Sequence, residues 1–581
     1  MTKLLNYQYT ESTLENIEAL NIKNMQKYNP IYKQFFKLCE NNYNKITLNQ
    51  HYTLSHILEK KSFSRYLCKV TKNNEFLEKE TFVKFAPILD PIKYMVGKYD
   101  NKDKNLFILP TLLDDTSKYE KMCDYNNCAY TDGFFSFLAS KLLHEYKFLN
   151  AVDFYGSYLA NHNNMMINIY DDIEFLNDSD DFHKNKKIYF DVDDCFYDEV
   201  SNYDSNHNKK KINISSGKNM DEIEDIKDIE DISAIEAIEY PVNVEIENIV
   251  ETSGKDTSYI NLSDLSDLSY NFLDISLNNS KEESECSSIT CSSRSSHTEN
   301  SKENEEEEEK ESDDSCEESD CESEEEKEIF SYIKNFPVNV IFLEKCNQTL
   351  DSYMLKNDME EQEWESILLQ IIFTLITYQK VFDFTHNDLH TNNIMYAETD
   401  KQFIYYTYNS KTYKIPTYGK LWKIIDFGRA IFKFNGKLLV SDSFSIKGDA
   451  ATQYNFGPYY NSKKQKVEPN KSFDLCRLGC SLFDYFIDNI KNIKDRSDCD
   501  NLQCLILEWC EDDNNKNVLY KNNGEERYPE FKLYKMISRT VHKHTPERQL
   551  DRILFDEYRV SKKKLNKKVK IMNIDEIPCF V

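Results

Sequence analysis

Apolar and polar positions change their period several times along the chain, and each change predicts an element. Tyr66-Leu67-Cys68-Lys69-Val70 and Thr81–Leu89 are short apolar-rich runs and read as strands. Over residues 133–152, Phe134, Phe137, Leu138, Leu142, Leu143 and Tyr146 fall at helical spacing. Residues 165–176 and 339–346 read as further strands, and 364–382 as a buried helix. An Asn- and His-rich loop follows, then alternating runs (FIYYTYN, TYKIPTYGK, WKIIDFG) that predict a β-hairpin and a strand, then helical segments to about residue 560. Residues 1–50 read as a polar, helical extension. No run of about 18 apolar residues is present, which argues against a membrane span. The start, MTKLLNYQYTES, lacks a secretory h-region, so a cytoplasmic, non-secreted protein is expected.

Charge changes the picture of domain organisation. The net charge is −29, but residues 178–327 hold 45 Asp and Glu against 14 Lys and Arg, leaving the remaining residues close to neutral. This acidic insert cannot bury enough apolar surface to offset its ordering entropy and self-repulsion, so most of it is expected to be disordered. Two weakly apolar patches in it, ISAIEAIEYPVNVEI and LSDLSDLSYNFLDI, read either as solvated linker or as segments that fold on a partner. The 16 cysteines lack paired zinc-ligand spacing and read as reduced core filler. Residues 561–581 begin with the basic run SKKKLNKKVK, which reads as a solvated helix end, a nuclear address, a nucleic-acid contact or a segment folded back on the acidic run.

Candidate chemistry is concentrated in His386-Asn387-Asp388-Leu389-His390-Thr391-Asn392-Asn393 and in Asp426-Phe427-Gly428. These resemble the catalytic loop H-R-D-L-x-x-x-N and the D-F-G motif of the eukaryotic-type protein-kinase superfamily. Lys84 in its strand, Glu145 on the following helix, Asp474 in FDLCRLG, Leu343-Glu344-Lys345-Cys346 and Arg548 then fall where that family has counterparts. HNDLHTNNIM, IIDFGRAI, KGDAATQYN and SFDLCRLGC look more closely like kinase-like proteins of large nucleocytoplasmic DNA viruses, mimiviruses and relatives. The resemblance covers 51–177 and 328–560 and implies an α+β, two-lobed fold. The small lobe would take 51–177 and 328–346, and the helical lobe 347–560. It implies ATP and Mg²⁺ as cofactors, Asp388 as base, and Asn393 and Asp426 as metal ligands. Lys84 would pair with Glu145 to hold the α- and β-phosphates. Glu344 and Cys346 would lie in the adenine-reading hinge behind Leu343, and Asp474 would accept from the catalytic-loop backbone.

The chain also departs from that pattern. Glu59–Arg65 lacks the glycines of a phosphate-cradling loop, so Ser62 or Ser64 would have to donate from side chains. Asn387 replaces an Arg that reads activating phosphate, and His390 replaces a Lys. A hairpin at about 396–420 separates Asn393 from Asp426. No A-P-E follows, which leaves Glu468 as the candidate partner for Arg548. The leading reading is a serine/threonine protein kinase with a protein hydroxyl substrate. The others are a pseudokinase scaffold whose acidic insert binds a basic protein partner, and a small-molecule kinase. No membrane or nucleic-acid partner is expected. In the insert, serines precede acidic residues (SDDSCEESDCESEEE), a pattern that acid-directed kinases prefer.

Overall fold

The computed structural model describes residues 4–9, 14–73, 75–112, 119–196, 328–493, 496–529 and 531–581, with two-residue strands at 274–275 and 289–290. The chain divides into two compact units, one of Met1–Phe196 with Ser269–Val581 and one of Tyr197–Leu268. The second unit and the acidic run at 301–327 lie outside the described residues, and with them the expectation of disorder. The first unit is a mixed α+β structure, as the resemblance implies.

Seven strands form an antiparallel sheet. They are β1 (Ile22–Gln26), β2 (Thr53–Lys60), β3 (Arg65–Lys72), β4 (Glu75–Pro87), β5 (Phe154–Asn168), β6 (Phe190–Val192) and β7 (Phe330–Glu344), in the order β1-β5-β7-β4-β3-β2 with β6 on the early part of β7. β7 is central because Val338, Val340, Ile341 and Phe342 are all buried, so neither face of its second half meets water. Helix α1 (Cys128–Glu145) packs against β5 and β7. Two residues let its first turn come close. A Cβ at Gly133 would lie 3.1 Å from Asn339 Nδ2. Buried Asn339 donates to the Ala129 carbonyl (2.7 Å) and accepts from Ser157 Oγ (2.7 Å).

The remaining elements include α2 (Glu361–Phe382), whose residues are almost all buried. β8 (Ile394–Glu398) pairs with β11 (Lys420–Ile424), and between them β9 (Phe403–Tyr408) and β10 (Lys411–Pro416) form the expected hairpin, packed on α2 through a Phe373–Tyr406 ring stack at 4.3 Å. α3 (Phe473–Phe486), α4 (Asn501–Trp509) and α5 (Phe531–Thr540) follow. Gly479 is needed where α3 meets α4, since a Cβ there would lie 2.8 Å from Trp509 Cβ.

Four expectations require correction. Residues 1–50 contain no α-helix among those described; left-handed Asn16, Asn21 and Asn24 break the backbone into 3₁₀ turns and short strands, and β1 joins the sheet. The helix expected over 133–152 runs from Cys128 to Glu145, because Asn127 caps it and left-handed Lys147 follows its end. Residues 178–196 are not insert. Phe182, Phe190 and Phe196 are fully buried against one another, and β6 pairs with β7; a charge average over the acidic segment conceals this apolar triad. The residues after the basic run do not continue it as a tail. Met572–Asn573 runs parallel to β9, Ile574 and Ile577 are buried, and the Phe580 N–H donates to the Val381 carbonyl, while Lys562 to Lys564 stay exposed.

His162 on β5 is buried beside Phe85 (ring centroids 4.7 Å), and burial, with a smaller push from Lys60, lowers its pKa to about 4. The folded state therefore holds a neutral imidazole, whereas the unfolded chain takes up a proton near pH 6.5. Stability from this group is present above pH 6.5 and falls as pH drops toward 4. In urea unfolding, the wild type should lose stability over that window more steeply than His162→Gln, by up to about 1.4 kcal/mol per pH unit. Equal slopes would contradict a neutral buried His162.

Candidate active site

A buried carboxylate organises the loop at 386–393. Asp474, in the first turn of α3, accepts the His386 N–H at Oδ2 and the Asn387 N–H at Oδ1, both at 2.9 Å. Burial pushes its pKa up, and these N–H groups and His386 oppose the shift. Asn387 sits in the left-handed region (φ 66°) and is held there by its own side chain: Nδ2 donates to the Arg429 carbonyl (2.9 Å) and Oδ1 accepts from the Tyr454 hydroxyl (2.7 Å). Asp388 follows this turn. Its Oδ1 accepts from the Tyr534 hydroxyl on α5 at 2.9 Å, and its Oδ2 lies 3.7 Å from Arg429 Nη1. Arg429 also forms a buried ion pair with Asp449, and Arg477 Nε donates to the Tyr534 oxygen at 2.8 Å.

The β8–β11 ladder brings the second motif to the first. Ile394 pairs with Ile424, and the Ile425 N–H donates to the Asn393 carbonyl at 3.0 Å, so the hairpin leaves Asn393 and Asp426 on neighbouring backbones. Asn393 Nδ2 donates to the Asp388 carbonyl (2.9 Å) and lies 3.1 Å from His390 Nε2. Burial holds the His390 pKa down at about 4, so this imidazole is neutral at pH 7 and does not reproduce the charge of a lysine. Asp426 has φ 60° and accepts the Gly428 N–H at 3.2 Å. An amide and a carboxylate are thereby offered side by side as hard oxygen donors. Among the described residues no group of three His, Cys, Asp or Glu could hold a metal.

Lys84 meets a different carboxylate from the one expected. Its Nζ lies 2.8 Å from Asp132 Oδ2 and 2.9 Å from Asp426 Oδ2. Asp132 Oδ1 also accepts the Phe427 N–H at 2.9 Å. Burial pushes the Asp132 pKa up, against the pull of Lys84. Glu145 is not in the site. It stands 13 residues further along α1, about 20 Å by helical rise, is 41% exposed in its side chain, and pairs with Lys141 at 2.7 Å. Helical periodicity gave the buried face of α1 but not which turn meets the sheet, and the apolar run begun at Gly133 left out Asp132. No sequence signal marked Tyr534.

Lys84, Asp132 and Asp426 line a cleft with Phe82, Leu343, Glu344, Lys345, Cys346, Met395 and Arg65. Glu344 is held by Lys423 and accepts the Asp153 N–H at 2.9 Å, while burial pushes the Cys346 thiol up to about 12. Ser62 and Ser64 do not line the cleft. Ser62 Oγ accepts the Arg65 N–H (3.2 Å) and closes a tight turn, and buried Ser64 passes its carbonyl to the Val83 N–H (2.7 Å); Arg65 stands in the cleft instead. Arg548 and Glu468 are not brought together. Arg548 Nη1 donates to the Lys543 carbonyl at 3.4 Å, and Glu468 pairs with Lys466 at 2.5 Å.

Comparison with known proteins finds partial matches. Mouse serine/threonine-protein kinase haspin is 33% identical over 104 residues, 17% of this chain and 14% of haspin. Two Acanthamoeba polyphaga mimivirus proteins named as serine/threonine-protein kinases are 34% and 40% identical over 100 and 74 residues, covering 16% and 12% of this chain. The chain resembles serine/threonine protein kinases, mimiviral ones among them. The matched segments span 14–21% of these relatives' lengths. No protein-family model matches the chain. Among the described residues no helix is long and apolar enough to cross a membrane.

Asp132→Asn should destabilise the protein by about 3 kcal/mol, because it leaves Lys84 with one buried carboxylate fewer. Glu145→Gln should stay within about 0.5 kcal/mol. Chemical denaturation of both variants checks the assignment, and the reverse ranking would restore Glu145.

Proposed function

We propose that the chain is an ATP- and Mg²⁺-dependent phosphotransferase acting on serine or threonine hydroxyls of proteins, in a two-lobed fold with the cleft between sheet and helices. The observation that carries the reading is the convergence of Lys84, Asp388, Asn393 and Asp426, held by Asp132 and Asp474, beside the cleft. The donor set fits magnesium. Two neutral or anionic oxygen donors suit an ion that keeps waters and takes its other ligands from phosphates. Asn393 and Asp426 would hold it, and it would neutralise charge on the transferred group.

Each residue then has a defined task. The Lys84 ammonium, fixed by Asp132, faces the α- and β-phosphates as a point charge. Asp388 orients the acceptor hydroxyl and takes its proton, with the Tyr534 hydroxyl on its Oδ1 and Arg429 Nη1 3.7 Å from its Oδ2. Arg429 thereby places a cation beside that carboxylate. Backbone at Glu344–Cys346 faces the adenine edge. Arg65 stands where glycine N–H groups would otherwise approach phosphate, a cation in place of a backbone cradle. The mimiviral resemblance supports a viral protein working in host cytoplasm or a virus factory.

The tight Ser62-closed turn favours a second reading, a scaffold that binds no nucleotide and whose acidic insert binds a basic protein. Thermal denaturation with ATP and Mg²⁺ separates the two. A ligand at 100 times its Kd adds about 2.7 kcal/mol to the folded state, a Tm rise of a few degrees. Wild type and Asp388→Asn should both shift and Lys84→Met should not, while Asp388→Asn should abolish transfer of labelled phosphate to protein. No shift in the wild type would favour the scaffold, and transfer only to metabolites would favour a small-molecule kinase.

A further inference from the structure

Two elements reach the Asp388 turn through a tyrosine each, and both carry basic side chains. The first is the segment after Tyr454. Between Phe456 and Phe473 it holds Lys463, Lys464, Lys466 and Lys471 against one carboxylate, Glu468. Lys471 turns to Asp383 (3.4 Å) and Lys466 to Glu468 (2.5 Å). Lys463 and Lys464 are exposed and form no ion pair among the described residues. The second is α5, which extends Tyr534 to Asp388. Its sequence FKLYKMISRT contains Lys532, Lys535 and Arg539 and no acid.

The lysine loop has a fixed shape. Buried Asn455 donates from Nδ2 to the carbonyls of Asn461 (3.0 Å), Lys464 (3.0 Å) and Gln465 (2.8 Å), and its Oδ1 accepts the Asn461 N–H (2.8 Å). Its backbone pairs in both directions with Val467. The adjacent Tyr454 donates to Asn387, the residue before Asp388. The loop is thus pinned through two successive side chains to the turn that presents the base, so its charges are carried at a set distance from the reacting hydroxyl.

We propose that this paired basic surface selects acceptor hydroxyls flanked by Asp and Glu. The inference rests on the phosphotransferase reading of Asp388 and specifies its substrate class. In the step, the Ser or Thr oxygen bonds to the γ-phosphorus of ATP as the bond from that phosphorus to the β,γ-bridging oxygen breaks. The hydroxyl proton passes to Asp388, and ADP leaves. Acidic flanks bring the hydroxyl to the site by complementary charge, an effect on encounter and KM that salt screens. The chain carries such acceptors itself: Ser312, Ser315, Ser319 and Ser323 are each followed by an acidic residue within two positions. The same chemistry is open to a separate acidic protein.

The full-length protein, with Mg²⁺ and labelled ATP, is offered three peptides sharing one central serine, flanked by Asp and Glu, by Ala, or by Lys and Arg. The acid-flanked peptide should have the highest kcat/KM, about tenfold above the Ala peptide and expressed in KM. In Lys463→Glu/Lys464→Glu/Lys466→Glu, and separately in Lys532→Glu/Lys535→Glu, that preference should fall about tenfold, as it should in high salt. Label on the chain's own Ser312 to Ser323 at a rate independent of protein concentration assigns an intramolecular acceptor. A rate that rises with concentration assigns a separate molecule, and either supports the substrate class. Equal or better transfer to the Ala or basic peptides, or an unaltered preference in both variants, overturns the substrate class and leaves the phosphotransferase standing. No Asp388-dependent transfer to any peptide or to the chain itself overturns both.

Discussion

A carboxylate with no exposure to water, Asp474, accepts two consecutive amide protons, and the geometry of the loop at 386–393 depends on it. Charge-assisted hydrogen bonds of this kind contribute about 1.5–3 kcal/mol each in a buried setting. They act on a backbone that resists its conformation, since Asn387 is a non-glycine residue at positive φ. Asp474 fixes the turn from α3, Tyr454 and the Arg429 carbonyl fix the Asn387 side chain, and Asp388 is presented where the chain leaves the turn. The result is a carboxylate, Asp388, whose position is set by packed helices rather than by loop tension.

The opposite wall depends on close approach. Gly133 and Asn339 allow the first turn of α1 to rest on β7, and that contact delivers Asp132 to Lys84. Arg429 then ties the Asp388 turn to the segment after the hairpin by pairing with both Asp388 and Asp449. Gly448, beside Asp449, lies so close to the preceding turn that a Cβ would meet the Ser443 carbonyl oxygen at 2.2 Å. A phosphate-reading arginine is absent from the loop at position 387, and a carboxylate built into the chain meets an arginine one residue past the Asp-Phe-Gly instead.

What the sequence made legible follows from range. Asp388, Asn393 and Asp426 sit in short motifs whose local order fixes their neighbours, and the hairpin announces itself by alternation. The Lys84 partner was not legible, because helical period identifies a buried stripe while the turn that touches β4 is chosen by Gly133 and Asn339, one of them more than 200 positions away. Ser62 failed for a related reason, since a serine in a turn satisfies the turn's own N–H groups before it serves a ligand, and Ser64 is fully buried. Averaged charge misplaced the edge of the acidic segment, since three phenylalanines outweigh the acids around them once they pack together.

The hairpin between β8 and β11 has a mechanical consequence. The rung nearest the site, Ile394 opposite Ile424, is set by the ladder and by the contact from Ile425 to Asn393. Everything beyond the last rung is an arm that returns to its starting point. The contacts of its tip with α2 and with Met572–Asn573 fix the arm itself, but they do not set the spacing at its root, and the linear interval between Asn393 and Asp426 carries no information about how far apart they stand.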